Sequence, residues 1–220
     1  MTPGVLPSTA RRTYHHGDLR RALLDAGAEL ARAGGPDAVV LRAATRTAGV
    51  APNAAYRHFA DRDALLGAVS LHAQAQVAAA MEHELAQVAP QTDPLADPLD
   101  HARAAVRAVG SGYLRFARAE PGLFRTAFTV NDDLRHAADP AGRGPGGRTP
   151  FELLGDALDE LAAAGGLAPE RRQGADLLAW SAVHGLATLL LTGPLRRLDA
   201  ETVAALDVRL LDMVVRGLPG

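Results

Sequence analysis

The chain has 220 residues, 48% of them apolar and 22% charged, a globular composition that excludes wholesale disorder. It has no cysteine, which excludes a disulfide framework, a thiolate zinc site and a cysteine nucleophile. The net charge of −2 hides an asymmetry: residues 1–62 hold nine arginines against five acids, and the remainder holds 14 against 20. A basic head on an acidic body points to a polyanion at the head. Lysine and isoleucine are absent, as a GC-rich genome would produce. Ala, Leu and Arg dominate while strand formers are scarce, so the chain is expected to be all-α.

Residues 1–14 carry Pro, Gly, Ser and Thr with two arginines and read as a flexible arm. No apolar stretch precedes Arg11, so no secretory signal is expected and the cytoplasm is the expected compartment. From residue 18 to about 33, Leu19, Leu23, Ala26 and Leu30 recur at helical spacing, and Gly34-Gly35-Pro36 stops that helix. Two short helices are expected over 41–48 and 52–58, parted by Gly49-Val50-Ala51. A long helix follows over 62–88, striped by Leu65, Val69, Ala73, Val77, Met81 and Leu85, and roughly 40 Å long at ~1.5 Å per residue. Further helices are expected over 99–119, 123–130, 151–164, 170–192 and 199–216, about nine in all. The stretch DPAGRGPGGRTP over 139–150 has the composition of the most flexible internal segment.

The window LRAATRTAGVAPNAAYRHF over 41–59 has the form of a helix-turn-helix: two short helices joined by a turn that holds a glycine. Gly49 frees the turn from Cβ clashes, Val50 can fill the gap between the helices, and Pro52 suits a first helical turn, where its missing N–H costs nothing. The second helix of such a unit lies in the major groove of DNA while the first braces across the backbone.

The chain here resembles the TetR family of bacterial transcriptional repressors. The resemblance runs from Thr13-Tyr14-His15-His16-Gly17-Asp18-Leu19 through Leu41-Arg42, Ala48-Gly49-Val50 and Tyr56-Arg57-His58-Phe59 to Asp61-Arg62-Asp63-Ala64-Leu65-Leu66. Farther on, Glu120-Pro121-Gly122-Leu123-Phe124-Arg125 and Trp180-Ser181-Ala182-Val183-His184-Gly185 look like the subgroup whose C-terminal domain is named for its Trp-His-Gly. The resemblance implies phosphate contacts at Tyr56, His58 and Arg62, with Phe59 in the core. It also implies a recognition surface at Ala51, Pro52, Asn53 and Ala54, where Asn53 suits an adenine edge. Arg42 and Thr47 would reach the backbone or a flanking base. Val40 and Ala51 stand where the family usually has Ser or Thr, so both short helices lack a side-chain N-cap, each worth about 0.5–2 kcal/mol. Ala44-Thr45 replaces the usual bulky-apolar–Ala pair.

These readings divide the chain into the arm at 1–14, a helix-turn-helix head at 15–62, and an effector-binding and dimerisation body at 63–220. In the body, the polar and aromatic residues His101, Tyr113, Phe116, Phe124, Phe128, Trp180 and His184 are candidates for a small-molecule pocket. Trp180 and His184, four apart, share a helix face. Residues 177–195 hold no formal charge and approach bilayer length, but Ser181, His184, Thr188 and Pro194 favour a helix buried on most sides of a bundle. The last helix carries Val203, Leu206, Leu210, Met213 and Val214, and the resemblance places such a stripe in a four-helix dimer interface. No HExxH, P-loop or GxSxG occurs, so no enzyme, metal or cofactor is expected. The expected partners are double-stranded DNA, a second copy and a small-molecule effector, with no membrane. The sequence therefore predicts a homodimeric repressor. The alternative is an all-α small-molecule-binding protein whose DNA-binding head has degenerated.

Overall fold

The computed structural model describes residues 16–91, 97–129 and 139–217. The arm expected over 1–14 lies outside the described residues, as does Val130. All regular structure among the described residues is helical. In chain order it comprises α1 (His16–Gly34), α2 (Leu41–Thr47), α3 (Pro52–Ala55), α4 (Arg62–Gln91), α5 (Pro98–Ala119), α6 (Pro121–Ala127), α7 (Pro150–Ala163), α8 (Pro169–Arg172), α9 (Ala175–Leu191) and α10 (Ala200–Gly217). The helix expected over 170–192 is divided in two. Gly174 takes a left-handed conformation at φ 80°, open to glycine and strained for other residues, and it ends one helix axis and starts another.

The four-residue stripe on α4 does what its spacing predicts. Leu65, Val69, Ala73 and Val77 are fully buried, Met81 nearly so, and α1, α5, α6 and α7 all pack around this one helix. The α5 crossing depends on Gly112. A Cβ there would sit 2.6 Å from the Met81 Cα and 2.7 Å from the Ala80 carbonyl oxygen, closer than packed atoms allow. Over Arg62–Val88, α4 is long and apolar enough to cross a membrane by length and composition, yet half of it is buried against the other helices. The stretch weighed for a bilayer at 177–195 yields only the 17 residues of α9.

Composition misreads the segment 139–149. Pro140–Gly142 forms a 3-10 turn with Gly142 buried beside Gln74. The Gly146 N–H donates to both Glu82 oxygens at 3.0 and 3.1 Å, and Arg148 reaches Asp156 at 2.7 Å. Thr149 and Glu152 close a capping box at the start of α7. Small residues here permit a close approach to α4, and polar bonds to distant helices pin the loop.

Candidate DNA-binding head and ligand cavity

In the head, α2 ends in a Schellman motif. The N–H of Gly49 bonds the Arg46 carbonyl at 3.2 Å and that of Val50 bonds Thr45 at 3.0 Å, with Gly49 at φ 68°. A Cβ on Gly49 would meet nothing within 4 Å, so backbone conformation rather than crowding requires glycine here. Leu41, Ala44, Thr45, Ala55 and Phe59 are buried, and the unusual Thr45 is satisfied by donating its hydroxyl to the Arg42 carbonyl at 2.8 Å. No side chain caps the start of α2 at Val40 or of α3 at Ala51. The helix expected over 52–58 is regular only as far as Ala55, with Tyr56–His58 continuing as a turn.

Ala51, Pro52 and Asn53 are exposed at the start of α3, Ala54 is half-buried, and Tyr56 is 52% exposed. Arg42 and Thr47 are exposed on α2, and His58 is half-buried. Among the described residues Arg42, Arg46 and Arg57 form no ion pair. Arg62, expected to clamp a phosphate, is turned toward the protein. Its Nε donates to the Val39 carbonyl at 3.0 Å and its Nη2 to the Pro36 carbonyl at 2.9 Å, so it braces the chain entering α2.

In the body, a cavity of about 240 Å³ opens between α4, α5, α7, α9 and α10. Four of the seven candidates line it: Tyr113, Phe128, Trp180 and His184. The other three do not. Phe124 is buried behind the wall, edge-on to Tyr113 at 5.2 Å; Phe116 is core; and His101 sits beside Glu160, 3.5 Å away. The sequence reading missed Phe151, Leu154, Met81 and Gln74, all of which line the cavity. Gln74 left a signal: with Ser70 it places two polar residues four apart on a buried stripe. Both donate to the Ala127 carbonyl at 3.0 Å, satisfying the C-terminal end of α6.

A polar chain crosses one wall. Trp180 Nε1 donates to Tyr113 Oη at 3.1 Å, and Tyr113 Oη lies 2.7 Å from His184 Nδ1. Burial pushes the Tyr113 hydroxyl well above its ordinary pKa and holds His184 below its own, so both are neutral near pH 7.

Two family models match the chain: "Bacterial regulatory proteins, tetR family" over residues 23–69, and "Tetracyclin repressor-like, C-terminal domain" over 106–214. The chain belongs to the TetR family of transcriptional regulators. Similar solved structures carry the same fold along nearly their whole length. A protein of unknown function from Rhodococcus sp. RHA1 is 28% identical, with 96% of this chain and 100% of that one covered and a TM-score of 0.69. The TetR family regulator PfmR from Thermus thermophilus is 19% identical (88% and 97% covered, TM-score 0.51). A TetR-family regulatory protein from Rhodococcus RHA1 is 18% identical (91% and 96% covered, TM-score 0.51). No curated protein matches the sequence.

In this TetR-family regulator, α6 lies between cavity and head. One end bears Phe124 and Phe128, which pack around Tyr113 and His184. At the other, Gly122 brings the α6 backbone against α1, where a Cβ would stand 2.2 Å from the Ala31 carbonyl oxygen. Arg32 of α1 bonds Glu120 at 2.9 Å across the same seam.

The last two helices also revise an expectation. Val214, expected at a subunit interface, is buried and lines the cavity, while Val203 and Leu210 pack on the core. An amphipathic stripe turns inward first, and of that set only Met213 is well exposed, at 58%. The outward apolar surface is made by residues outside the set, chiefly Leu178 at 68% and Val208 at 62%. Thus α9 is not buried on most sides; one apolar face lies open.

Proposed function

We propose that this protein is a cytoplasmic transcriptional repressor that binds a palindromic operator as a homodimer and is released by a small-molecule effector. The head, residues 15–62, would hold DNA, and the body, residues 63–220, would hold the effector and the second subunit, with residues 1–14 a flexible arm. The observation that carries the reading is the exposed start of α3. Pro52, Asn53 and Tyr56 stand clear of the core on a segment whose Arg42, Arg46 and Arg57 meet no carboxylate among the described residues. Asn53 would address a base edge, Tyr56 and His58 the phosphates, and Arg42 and Thr47 the adjoining backbone. Arg62 would act by holding α2 in place.

One such helix reads too few base pairs for useful specificity, so a symmetric pair is required. Leu177, Leu178 and Leu189 of α9 with Val208 and Met213 of α10 form the exposed apolar surface that a second copy would cover. The Trp180–Gly185 string favours the Trp-His-Gly subgroup. An effector in the cavity would act through α6 on α1, altering the separation of the two heads. A coupling of about 1–3 kcal/mol would change operator affinity roughly 5–150-fold, and reciprocally change effector affinity.

The test is footprinting of purified full-length protein on genomic DNA, followed by retardation of the recovered fragments at ~0.1 M salt. A palindromic site bound by a species of twice the 22.9 kDa chain mass is expected. A steep loss of affinity with salt would exclude a degenerate head, because phosphate neutralisation produces that slope. No retardation at micromolar protein would overturn the reading.

A further inference from the structure

We infer that the body cavity is built for an uncharged, largely aromatic molecule carrying one hydrogen-bond acceptor, which takes the Nε2–H of His184. The inference rests on the reading of this cavity as the effector site and narrows its chemistry. Its first support is what the wall lacks. None of the described residues lining the cavity is an Asp, Glu, Arg or Lys. An ion entering it would leave water without a counter-charge, a cost that favours neutral ligands, the ring faces being the wall's one attraction for a cation.

Its second support is a chain of hydrogen bonds that leaves a single direction open. An indole N–H can only donate, so Trp180 Nε1 occupies a lone pair of Tyr113 Oη. The Tyr113 proton is then free to point to His184 Nδ1, 2.7 Å away, which makes Nδ1 the acceptor. In a neutral imidazole the remaining proton must be on Nε2. Nε2 has no protein partner among the described residues. Nor is it sealed inside the packing, because Asp207 Oδ1 is the one buried side-chain polar atom without a partner among them. Gln74, the one amide side chain on the wall, spends one of its two N–H donors on the Ala127 carbonyl.

The rest of the wall supplies shape. Phe128 meets the His184 ring edge-on at 5.2 Å, and Phe151 meets Trp180 edge-on at 6.5 Å. These rings with Tyr113 form an aromatic box in which a planar ligand finds stacking and edge contacts. The volume of about 240 Å³ lies below the ~300–1,000 Å³ of sites for drug-sized molecules, so the ligand is small.

The experiment uses the full chain and four matched probes in calorimetric titrations at pH 7.5: 2-acetylnaphthalene, 2-ethylnaphthalene, 2-naphthoate and 2-naphthylmethylamine. The neutral ketone is expected to bind at least about tenfold tighter than the hydrocarbon, which leaves the His184 N–H unpaired, and tighter than either ion by at least as much. In His184→Phe the ketone and hydrocarbon should come within about twofold of each other, while His184→Gln, which keeps an N–H, retains the preference. Should His184→Phe not fold, the wild-type ranking alone decides. Ketone and hydrocarbon binding equally, or an unchanged preference in folded His184→Phe, would overturn the inference. Tighter binding of either ion would overturn it and leave the effector-site reading standing. Absence of binding by all four at millimolar concentration would overturn both.

Discussion

In the body, many arginines are tied to carboxylates, among them Arg107 to Asp212 at 2.8 Å, Arg118 to Asp207, Arg143 to Glu152 at 3.1 Å, and Arg148 to Asp156 and Arg172 to Asp159, both at 2.7 Å, although Arg171, Arg196, Arg197 and Arg209 meet no carboxylate among the described residues. In the head, Arg42, Arg46 and Arg57 are exposed and meet no carboxylate among the described residues. Helix ends divide less cleanly, since α6, α8 and α9 of the body also start without a side-chain bond and Asp61 of the head accepts from Ala64 at the start of α4. Asp97, Asp139, Thr149 and Asp199 accept bonds from the first turns of body elements, whereas α2 and α3 begin at Val40 and Ala51 with no side-chain bond. Surface ion pairs contribute little stability, so the pairing in the body matters mainly because it neutralises charge. Arg42, Arg46 and Arg57 thus differ from Arg21, Arg32 and Arg62 of the same head, which meet Asp25, Glu120 and Asp63.

The largest effect that tests this division is on DNA. Asn53→Ala with Tyr56→Ala is expected to weaken operator binding by roughly 5–150-fold, the value of a lost bidentate base contact, measured by fluorescence anisotropy. Because both residues are exposed, the thermal midpoint should stay put. Arg46→Ala should reduce the slope of log affinity against log salt by about one. The same substitution at paired Arg148 should leave that slope unchanged, and a change there would erase the contrast.

Two glycines separate the body from its seam with the head. Gly112→Ala drives a methyl into the α4 backbone, and Gly122→Ala drives one into the α1 backbone at Ala31 and Arg32. Each is expected to cost about 1–3 kcal/mol in urea unfolding, the usual range for overpacking. Gly122→Ala should alter operator affinity more than Gly112→Ala, because its methyl meets α1 of the head itself, whereas that of Gly112 meets α4 at Ala80 and Met81. Equal effects on DNA from both would refute a role for α6 as the link.

The sequence reading succeeded where one local pattern decides the outcome. The stripe of α4, the Gly-Val turn after α2 and the shared face of Trp180 and His184 all follow from spacing of a few residues. It erred where two outcomes share one pattern. Phe116, Phe124 and Phe128 are equally apolar on amphipathic helices, yet only Phe128 lines the cavity, because that depends on which neighbour is missing. In α10, periodicity identifies a buried face but not the element that buries it, so Val203, Leu210 and Val214 cover the protomer's own core. The bonds of Arg62 to the carbonyls of Pro36 and Val39, 26 and 23 residues away, are ones that no motif encodes. The loop 139–149 is fixed by Glu82, 64 residues from Gly146.

A smaller effect comes from restoring what the head lacks. Ala51 has φ −68° and ψ 137°, an extended N-cap geometry that Ser can adopt without strain. Ala51→Ser should therefore stabilise the protein by about 0.5–2 kcal/mol through a hydroxyl bond to the first turn of α3. Hydrogen exchange should slow in the head, with body amides unchanged. No gain would mean that Pro52 and the packing of Ala55 already fix α3 fully.

The smallest expected effect is a pH slope at the seam. Gln76 accepts from Arg32 Nη2 at 3.5 Å through Oε1, so its amide nitrogen donates to His72 Nε2 at 2.7 Å, a bond that requires an unprotonated nitrogen. Burial, the largest cause, holds His72 below 6.5, with Asp25 opposing it and Arg32 and Arg21 adding to it. His184 is also held below 6.5 by burial. The unfolded chain thus binds protons more readily than the folded one. The stability from both groups is complete above pH 6.5 and is lost as pH falls through their lowered folded values. Glu152 and Asp199, lowered from 4.5 and 3.8, act only at more acid pH. The thermal midpoint should therefore decline from pH 7 to pH 5. His72→Gln should flatten part of that decline and His184→Phe the rest. If His72→Gln leaves the slope intact, the α1–α4 seam takes no part in acid destabilisation and the pH response belongs to the body alone.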